Sequence, residues 1–312
     1  MGLALPGLLP APPLLRGWME ASTREMLRPA GAPSIDFARP LGEPALYAPD
    51  SVTWRVFKNP IALFVGGVAA VMIELSEPAV RTGVWEHSSF RTDPVGRMRR
   101  TGLAAMVSVY GPRSTAEAMI ARVVRLHDGV TGTTPGGRPY QANDVELLTW
   151  VYATAGFGFS QAYSRYVSRL STQALETLML EGLPAARLYG ADTVPRSQAG
   201  LQALFEAMKD RLEPSPLIFE FLETMREAPA FPAPFRPLQR MLVRAAVEIA
   251  PPWLRRRLGL TDSYGLRPWE LPLVRQAGAL ADRTLLRSNP AVQACVRLGL
   301  PADHLYRPRH RR

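Results

Sequence analysis

The chain contains very little of the residue types on which most metal and redox sites depend. Its 312 residues include one cysteine and four histidines. A single cysteine excludes an intramolecular disulfide and any thiolate metal cluster. Cys295 lies in the apolar segment "NPAVQACVRLGLP", which predicts a packing role in the core. With so few histidines, an iron site of two histidines and one carboxylate would need both His87 and His127.

Lysine is nearly absent, and long apolar runs are missing. Only Lys58 and Lys209 are lysines among 37 basic residues, so the net charge of +10 indicates the arginine usage of a GC-rich genome more than a nucleic-acid surface. The apolar run "IALFVGGVAAVMI" covers residues 61–73, too short to span a bilayer, and predicts a buried helix. The start "MGLALPGLLPAPPLLRG" is broken by proline and does not resemble a signal peptide. We therefore predict a soluble cytoplasmic protein that binds no nucleic acid. Peripheral contact with a membrane and the oligomeric state are left open.

The motifs of several common enzyme classes are also missing. The sequence has no GxGxxG after a strand, no GxxxxGK[ST] loop, no HExxH and no GxSxG. It has no CxxCH for covalent attachment of haem. Dinucleotide binding, phosphate-loop chemistry, zinc proteolysis and serine hydrolysis therefore find no support.

Helix signals dominate from Ser51 onward. Asp93 and Pro94 predict a helix start, and that helix runs to about Tyr110. Ser114 and Glu117 have the spacing of a capping box for the next helix, which ends at Gly129. Asn143, with a glutamate three residues later, opens a helix that is apolar on most faces and therefore runs through the interior.

The remaining segments extend the helical pattern to the C-terminal part of the chain. Alternating strand-type runs are scarce, and no repeat is visible. Amphipathic stretches cover about 171–190, 196–212, 215–227, 233–248 and 267–287. We predict an all-α protein with a single large helical domain at 51–300. A Pro/Gly-rich arm at 1–50, with one short helix near 18–27, precedes it, and a basic tail at 301–312 follows it.

His127 is the histidine with the clearest position on a helix face. It shares a face with Ile120, Val123 and Val124, at spacings of three, four and seven, and is expected to point inward. A buried imidazole needs a partner, and the spacing alone leaves two open. His127 is either a core histidine with both nitrogens hydrogen-bonded or a metal ligand.

Of five other polar residues, two have both an ordinary and a functional interpretation. Arg97 and Thr101 stand four apart on one helix face, which is either solvated or directed inward, where the guanidinium would need an anion. His87 in "EHSSFRTDP" is a turn or capping residue. His304 and His310 fall in the basic tail and are expected to be solvated.

Several segments in order carry a resemblance to a known family. They are "LFVGGVAAVMIELSEPAVRTGVWEHSSFRTDPVGRMRRT", "VYGPRSTAEAMIARVVRLHDGVTG", "GRPYQANDVELLTWVYA" and "PLQRMLVRAAVEIAPPWLRRRLGL". Together they resemble the MpaB-like and latex-clearing (rubber oxygenase) family of all-α, b-type haem oxygenases. The resemblance covers about residues 54–262.

The resemblance implies a cofactor, a site and an activity. It makes the 51–300 domain a catalytic domain enclosing a haem b pocket. His127 corresponds to the proximal ligand of the haem iron. Arg97 and Thr101 correspond to the Arg-x-x-x-Thr element beside the haem, and are expected to take part in cofactor binding and catalysis. The implied function is a haem b-dependent oxygenase that acts with O2 on a small apolar, unsaturated or lipid-like substrate. The alternatives are a non-catalytic haem- or lipid-binding protein of the same fold, since fold alone does not settle function, and a basic helical nucleic-acid binder.

The sequence departs from the family pattern at two positions. Tyr152 stands where the family commonly has histidine in Trp-Val-His-Ala, and Thr131 stands where a basic residue is common. Tyr152 is expected either to contact the haem or to be a core aromatic residue. The sequence identifies no carboxylate as a general base.

Overall fold

The computed structural model of the protein describes residues 13–29, 31, 34–231 and 233–307, together with Leu8. Most of the first twelve residues of the predicted arm, and His310 in the tail, lie outside the described residues. Within the described part, the chain is helical apart from one two-stranded hairpin, which confirms the predicted all-α class.

The first half of the chain builds one long arm helix, five helices of the domain and the hairpin. The bounds are α1 Pro13–Met26, α2 Val52–Phe57, α3 Pro60–Glu74, α4 Pro78–His87, α5 Pro94–Tyr110, α6 Arg113–Asp128, β1 Thr131–Thr133 and β2 Pro139–Gln141. The strands pair antiparallel, with Gly132 opposite Tyr140. The hairpin was not predicted, because each strand is only three residues long.

The second half begins with the longest helix and continues with shorter ones. The bounds are α7 Val145–Tyr166, α8 Thr172–Glu181, α9 Leu183–Leu188, α10 Gln198–Met208, α11 Pro216–Glu227, α12 Arg236–Val247, α13 Pro252–Arg257, α14 Glu270–Arg283 and α15 Pro290–Arg297. The predicted helix at 171–190 is two helices, α8 and α9, which meet at Gly182.

Helices α3 and α7 form the centre of the fold. They pack along each other, and most of α3 is buried, as its apolar run predicts. The two backbones touch at Gly66 and Gly158, where a Cβ on Gly158 would lie 2.4 Å from the carbonyl oxygen of Gly66. Any side chain at this crossing would force the helices apart.

Helices α5 and α6 pack against each other beside this central pair. Helix α5 starts and ends as predicted, and the Asp93 carboxylate accepts a hydrogen bond from the Gly96 amide. The capping box predicted for α6 is wrong. The helix begins at Arg113, and its free Ser114 amide donates to the Glu43 carboxylate at 2.7 Å, a cap supplied from 71 residues away.

Residues 34–50 of the predicted arm pack into the body of the protein. Phe37 and Tyr47 are buried in a cluster that also contains Trp54, Tyr110 and Cys295, and the predicted packing role of Cys295 is confirmed.

Arg297, near the C-terminal end of the described chain, binds backbone carbonyls of its N-terminal part. Arg297 is only 1% exposed, and its guanidinium donates to the carbonyl oxygens of Phe37 (2.6 Å), Glu43 (2.8 Å) and Tyr110 (2.8 Å). The three acceptors come from the arm and from the end of α5, so the arm, α5 and α15 are held as one unit.

Among the described residues, no single helix has the length and apolar character needed to cross a membrane. Helices α3 and α4, which meet at an angle of 110°, meet that requirement only as a pair.

Candidate active site

His127 lies at the C-terminal end of α6, where the hairpin brings the chain back to it. The imidazole is half-buried, one turn after the half-buried Val123 and Val124. The hairpin then returns Asn143 to this helix end, where its side-chain Nδ2 donates to the Val124 carbonyl (3.1 Å) and to Asp128 Oδ1 (2.6 Å). Asn143 therefore does not cap α7 as predicted. Helix α7 begins one residue later, after Asp144.

The His127 imidazole is held in its neutral form. Burial lowers its pKa below the ordinary value, and the positive charge of Arg97 lowers it further. The side-chain amide of Asn143 and the carboxylate of Asp128 act in the opposite direction, without reversing the shift. A neutral imidazole keeps a lone pair on one ring nitrogen, which is the form that binds a metal ion.

Arg97 on α5 is near enough to this imidazole and to a carboxylate on α3 for its charge to act on both. The positive charge of Arg97 lowers the pKa of Glu74 and that of His127. The negative charge of Glu74 in turn raises the pKa of Arg97. Burial lowers the pKa of the guanidinium, an effect that Glu74 partly offsets. No residue in the described part of the chain accepts a hydrogen bond from the Arg97 side chain. A desolvated guanidinium in this condition favours an anion as its partner.

No motif in the sequence marks Glu74 as a site residue. Protein atoms surround its carboxyl group, and the residue as a whole is half-buried. Burial raises the pKa of Glu74 to about 7, although the hydrogen bond from Thr154 Oγ1 (3.3 Å) and the charge of Arg97 both lower it. Such a group exchanges a proton near neutral pH, which suits acid–base chemistry.

Half-buried apolar side chains adjoin these three polar groups. On α3, Val71 lies one turn before Glu74, and on α6 Val123 and Val124 lie one turn before His127. The charges of Glu74, Arg97 and His127 act on one another across α3, α5 and α6, which places the three groups in one region of the protein. We call this region, with the adjoining valines, the central cleft.

The raised pKa of Glu74 makes the stability of the fold depend on pH. The folded state favours the protonated carboxyl, so the stability it confers is fully present below a pH of about 4.5 and is lost as the pH rises through about 7. Replacing Glu74 with glutamine removes this loss. We expect the variant to gain about 2 to 3 kcal/mol relative to the wild type between pH 5 and pH 8.

Urea unfolding at both pH values measures this difference. The matched control is Glu117→Gln, which makes the same substitution at an exposed position on α6. A Glu74→Gln variant with the same pH dependence as the wild type would contradict a near-neutral pKa for this group.

The structure brings Arg97 and His127 together but places the other predicted site residues differently. Thr101 is exposed, one turn after Arg97 on α5. His87 is the exposed last residue of α4, whereas the sequence predicts a turn or capping residue, and Ser88 follows as the C-cap. His304 is half-buried, and its Nε2 lies 3.1 Å from Oδ1 of the exposed Asp50. Thr131 begins β1.

The Tyr152 hydroxyl is engaged on the side of the arm and α9. It donates to the Gly182 carbonyl (2.7 Å) and lies 3.1 Å from the Tyr47 hydroxyl. Burial raises the pKa of Tyr152 well above its ordinary value, and the ring lies 6.5 Å from that of Tyr189. The hydroxyl therefore has its partners within the protein, and contact with a cofactor stays a prediction for the ring of Tyr152.

A helical domain that brings together a neutral imidazole, a half-buried arginine and a carboxyl group with a pKa of about 7 can offer a lone pair and a cation to a ligand and can exchange protons. Comparison with protein families gives the class. The model of the family described as "ER-bound oxygenase mpaB/B'/Rubber oxygenase, catalytic domain" matches residues 54–282. The chain belongs to this family, and the match supports an oxidoreductase function of the oxygenase type. No curated protein and no solved structure matched the chain at the significance required.

Proposed function

We propose that the protein is a haem b-dependent oxygenase that uses O2 to oxidise an apolar, unsaturated or lipid-like substrate. The observation that carries the proposal is the arrangement of the central cleft, where a neutral His127, an Arg97 without a hydrogen-bond acceptor and a protonatable Glu74 lie within electrostatic reach of one another. Among the described residues, no group of three or more histidine, cysteine or acidic side chains is placed to hold a metal ion. Haem needs only one protein ligand.

His127 and Asn143 fit the proximal side of a haem. His127 would ligate the iron through one ring nitrogen. Histidine ligands usually donate their other ring N–H to a nearby acceptor, which fixes the ring orientation. The buried Oδ1 of Asn143 has no other hydrogen-bond donor in the described chain, and the Asn143 amide lies against the imidazole. Asn143 is therefore the residue that would orient the ligand.

Arg97 fits the anionic part of the cofactor. Its guanidinium needs an anion, and a haem propionate offers a planar carboxylate that arginine binds through two hydrogen bonds. Haem, when bound, supplies the iron that activates O2. The valines of the central cleft would exclude water and contact the apolar substrate.

Glu74 would hold the proton that oxygen chemistry needs. Its carboxyl is about half protonated near pH 7, so it can donate a proton and take one back without a large cost. The Thr154 hydroxyl lies 3.3 Å from Glu74 Oε1, and Arg97 stabilises the carboxylate once the proton has left. A carrier protein has no need of such a group, and this favours the enzyme over the non-catalytic alternative.

The absorption spectrum of the purified protein is the first test. We expect a Soret band from one non-covalent haem per chain, present on purification or after addition of hemin. Reduction of the haem iron followed by addition of carbon monoxide should shift the Soret band, because the iron of an oxygenase keeps one coordination position open for O2. Oxygen uptake with linoleic acid and with squalene then tests turnover.

Each alternative gives a different result in these measurements. A haem protein that neither binds carbon monoxide nor consumes oxygen is the non-catalytic carrier. A colourless protein that does not take up hemin would overturn the proposal.

A further inference from the structure

A polar groove lies between α1 and the segment that joins α14 to α15. Its volume is about 630 Å³, within the range of roughly 300 to 1,000 Å³ that is typical of small-molecule sites. Six described residues line it, every one of them is polar, and they are separate from the residues of the central cleft: Arg16, Glu20, Arg24, Arg287, Ser288 and Gln293. We call this space the α1 groove.

The wall that α1 contributes is a row of three charged side chains. Arg16, Glu20 and Arg24 stand four residues apart, so each is turned by only about 40° from the one before it around the helix axis. The Arg24 Nε donates to the Glu20 backbone carbonyl at 3.2 Å, which holds this side chain along the row. The helix therefore presents two guanidinium groups to the groove, with one carboxylate between them.

That carboxylate is engaged by the opposite wall. Glu20 Oε1 accepts a hydrogen bond from the Arg287 amide at 2.6 Å, and Oε2 accepts one from the Ser288 amide at 2.7 Å. Burial raises the pKa of Glu20, but the hydrogen bonds from Ser288 and Arg287 and the charge of Arg16 outweigh this and lower it below its ordinary value. Glu20 is therefore ionised at neutral pH and uses both oxygens to fasten the loop that carries Arg287.

The positive charges of the groove exceed its negative charge. Three arginines and one glutamate leave a net charge of +2. No ion pair within the described ranges involves Arg16, Arg24 or Arg287, and the next acid along α1, Glu25, pairs with Arg99 at 2.8 Å. The residues outside the described ranges include no aspartate and no glutamate. A cluster of guanidinium groups in this condition favours an anion from solution.

We propose that the α1 groove binds the phosphoryl group of a small soluble molecule. Each guanidinium can donate two parallel hydrogen bonds to phosphate oxygens, a geometry that suits arginine better than lysine. A phosphate monoester carries a charge of about −1.5 to −2 at pH 7, which matches the charge of the groove. The volume leaves room for an organic part beside the phosphate, and the Gln293 amide is a polar group that this part would meet.

The lining selects against other classes of anion. A fatty acid needs an apolar wall for its chain, and no apolar side chain of the described residues lines the groove. A nucleotide is usually held by stacking of its base on an aromatic ring, which the described lining also lacks. A molecule whose remaining groups are hydroxyls, such as a sugar phosphate, meets a wholly polar wall without loss.

Isothermal titration calorimetry with the full-length protein tests the proposal, with glucose 6-phosphate, glucose and inorganic phosphate as probes. We expect glucose 6-phosphate to bind one to one, more weakly with added salt, and glucose not to bind. Tighter binding of glucose 6-phosphate than of inorganic phosphate identifies an organic phosphate as the ligand, and equal binding identifies the free ion. Arg16→Gln/Arg287→Gln should weaken binding at least about tenfold, and Arg287→Lys should weaken it less.

The matched control removes two arginines elsewhere. Arg169 and Arg256 are exposed and lie outside the groove, so Arg169→Gln/Arg256→Gln changes the net charge equally and should bind like the wild type. A second readout is the melting temperature. Glucose 6-phosphate should raise it in the wild type and in the control pair but not in Arg16→Gln/Arg287→Gln, because the ligand binds only where α1 and the loop are folded together. Circular dichroism establishes that each variant is folded.

Three results would overturn the proposal. The first is a wild type that binds neither phosphate compound at millimolar concentration. The second is a control pair that loses as much affinity as Arg16→Gln/Arg287→Gln, since binding then follows net charge alone. The third is tighter binding of citrate than of either phosphate compound, which would make the groove a carboxylate site. None of these measurements depends on haem or on oxygenase turnover, so the phosphate proposal and the enzyme proposal fail separately.

Discussion

Replacing His127 with alanine is expected to abolish haem binding and the Soret band. The imidazole is the ligand expected to bond the iron, and the side chains beside it on α6, Val123 and Val124, have no donor atom to replace it. Its lowered pKa keeps it neutral at pH 7, so the wild type does not lose a proton to bind the metal. Free imidazole added to the variant should restore part of the band, because the substitution leaves room for it.

The controls are the two other histidines in the described chain. His87 is exposed at the end of α4. His304, which pairs with Asp50, lies far along the sequence from the residues of the central cleft. His87→Ala and His304→Ala should keep a normal spectrum at equal concentration of folded protein. An unshifted Soret band in His127→Ala would contradict the assignment and make His87 the next candidate ligand.

Replacing Arg97 with alanine is expected to lower haem retention or turnover by about 10- to 100-fold. The wild-type guanidinium is desolvated and has no hydrogen-bond acceptor in the described chain, so a bound anion gains a strong and directional partner there. The same substitution removes the positive charge that lowers the pKa of Glu74, so this pKa should rise from its value of about 7. The pH profile of turnover should therefore shift to higher pH as well.

The neighbouring Arg99 on α5 provides the matched control. It pairs with Glu25 at 2.8 Å on the outside of the protein, so Arg99→Ala should leave haem retention, turnover and the pH profile unchanged. Arg97→Lys should recover only part of the function, since lysine cannot offer two parallel hydrogen bonds to one carboxylate. Equal haem retention and equal turnover in Arg97→Ala and Arg99→Ala would exclude a role for Arg97 in the cleft.

The sequence predicted those features of the fold that depend on neighbouring residues. Helix α5 has its start at Asp93–Pro94 and its end at Tyr110, because the capping side chain and the proline act within one turn. Burial of α3 follows from its unbroken apolar run in the same way. His127 was placed on the inner side of α6 by periodicity, and the structure has it half-buried there.

The predictions that failed concern contacts between distant segments. The start of α6 is capped by Glu43, and the Asn143 side chain turns back to the end of α6 instead of opening α7. Neither contact has a local signal. The hairpin between them had only the turn residues Gly136 and Gly137 to mark it, and its strands are too short for an alternating pattern.

Glu74 could not be identified as a site residue for the same reason. It is the last residue of an apolar helix, a position where a carboxylate ordinarily faces water. Its raised pKa comes from enclosure by the packed helices, and its partners Thr154 and Arg97 stand on two other helices. The near-neutral pKa of Glu74 therefore arises only when α3, α5 and α7 are packed together.

The contacts of the buried Arg297 guanidinium extend beyond the segment that the family model matches. The family match covers residues 54–282, yet Arg297 lies outside that segment, as do two of the carbonyls it binds, those of Phe37 and Glu43. An excised 54–282 fragment would lose the cap on α6 and would expose Trp54 and Tyr110, which the flanking residues cover. The packing of α5 and α6 therefore depends on residues on both sides of the segment that the family model matches.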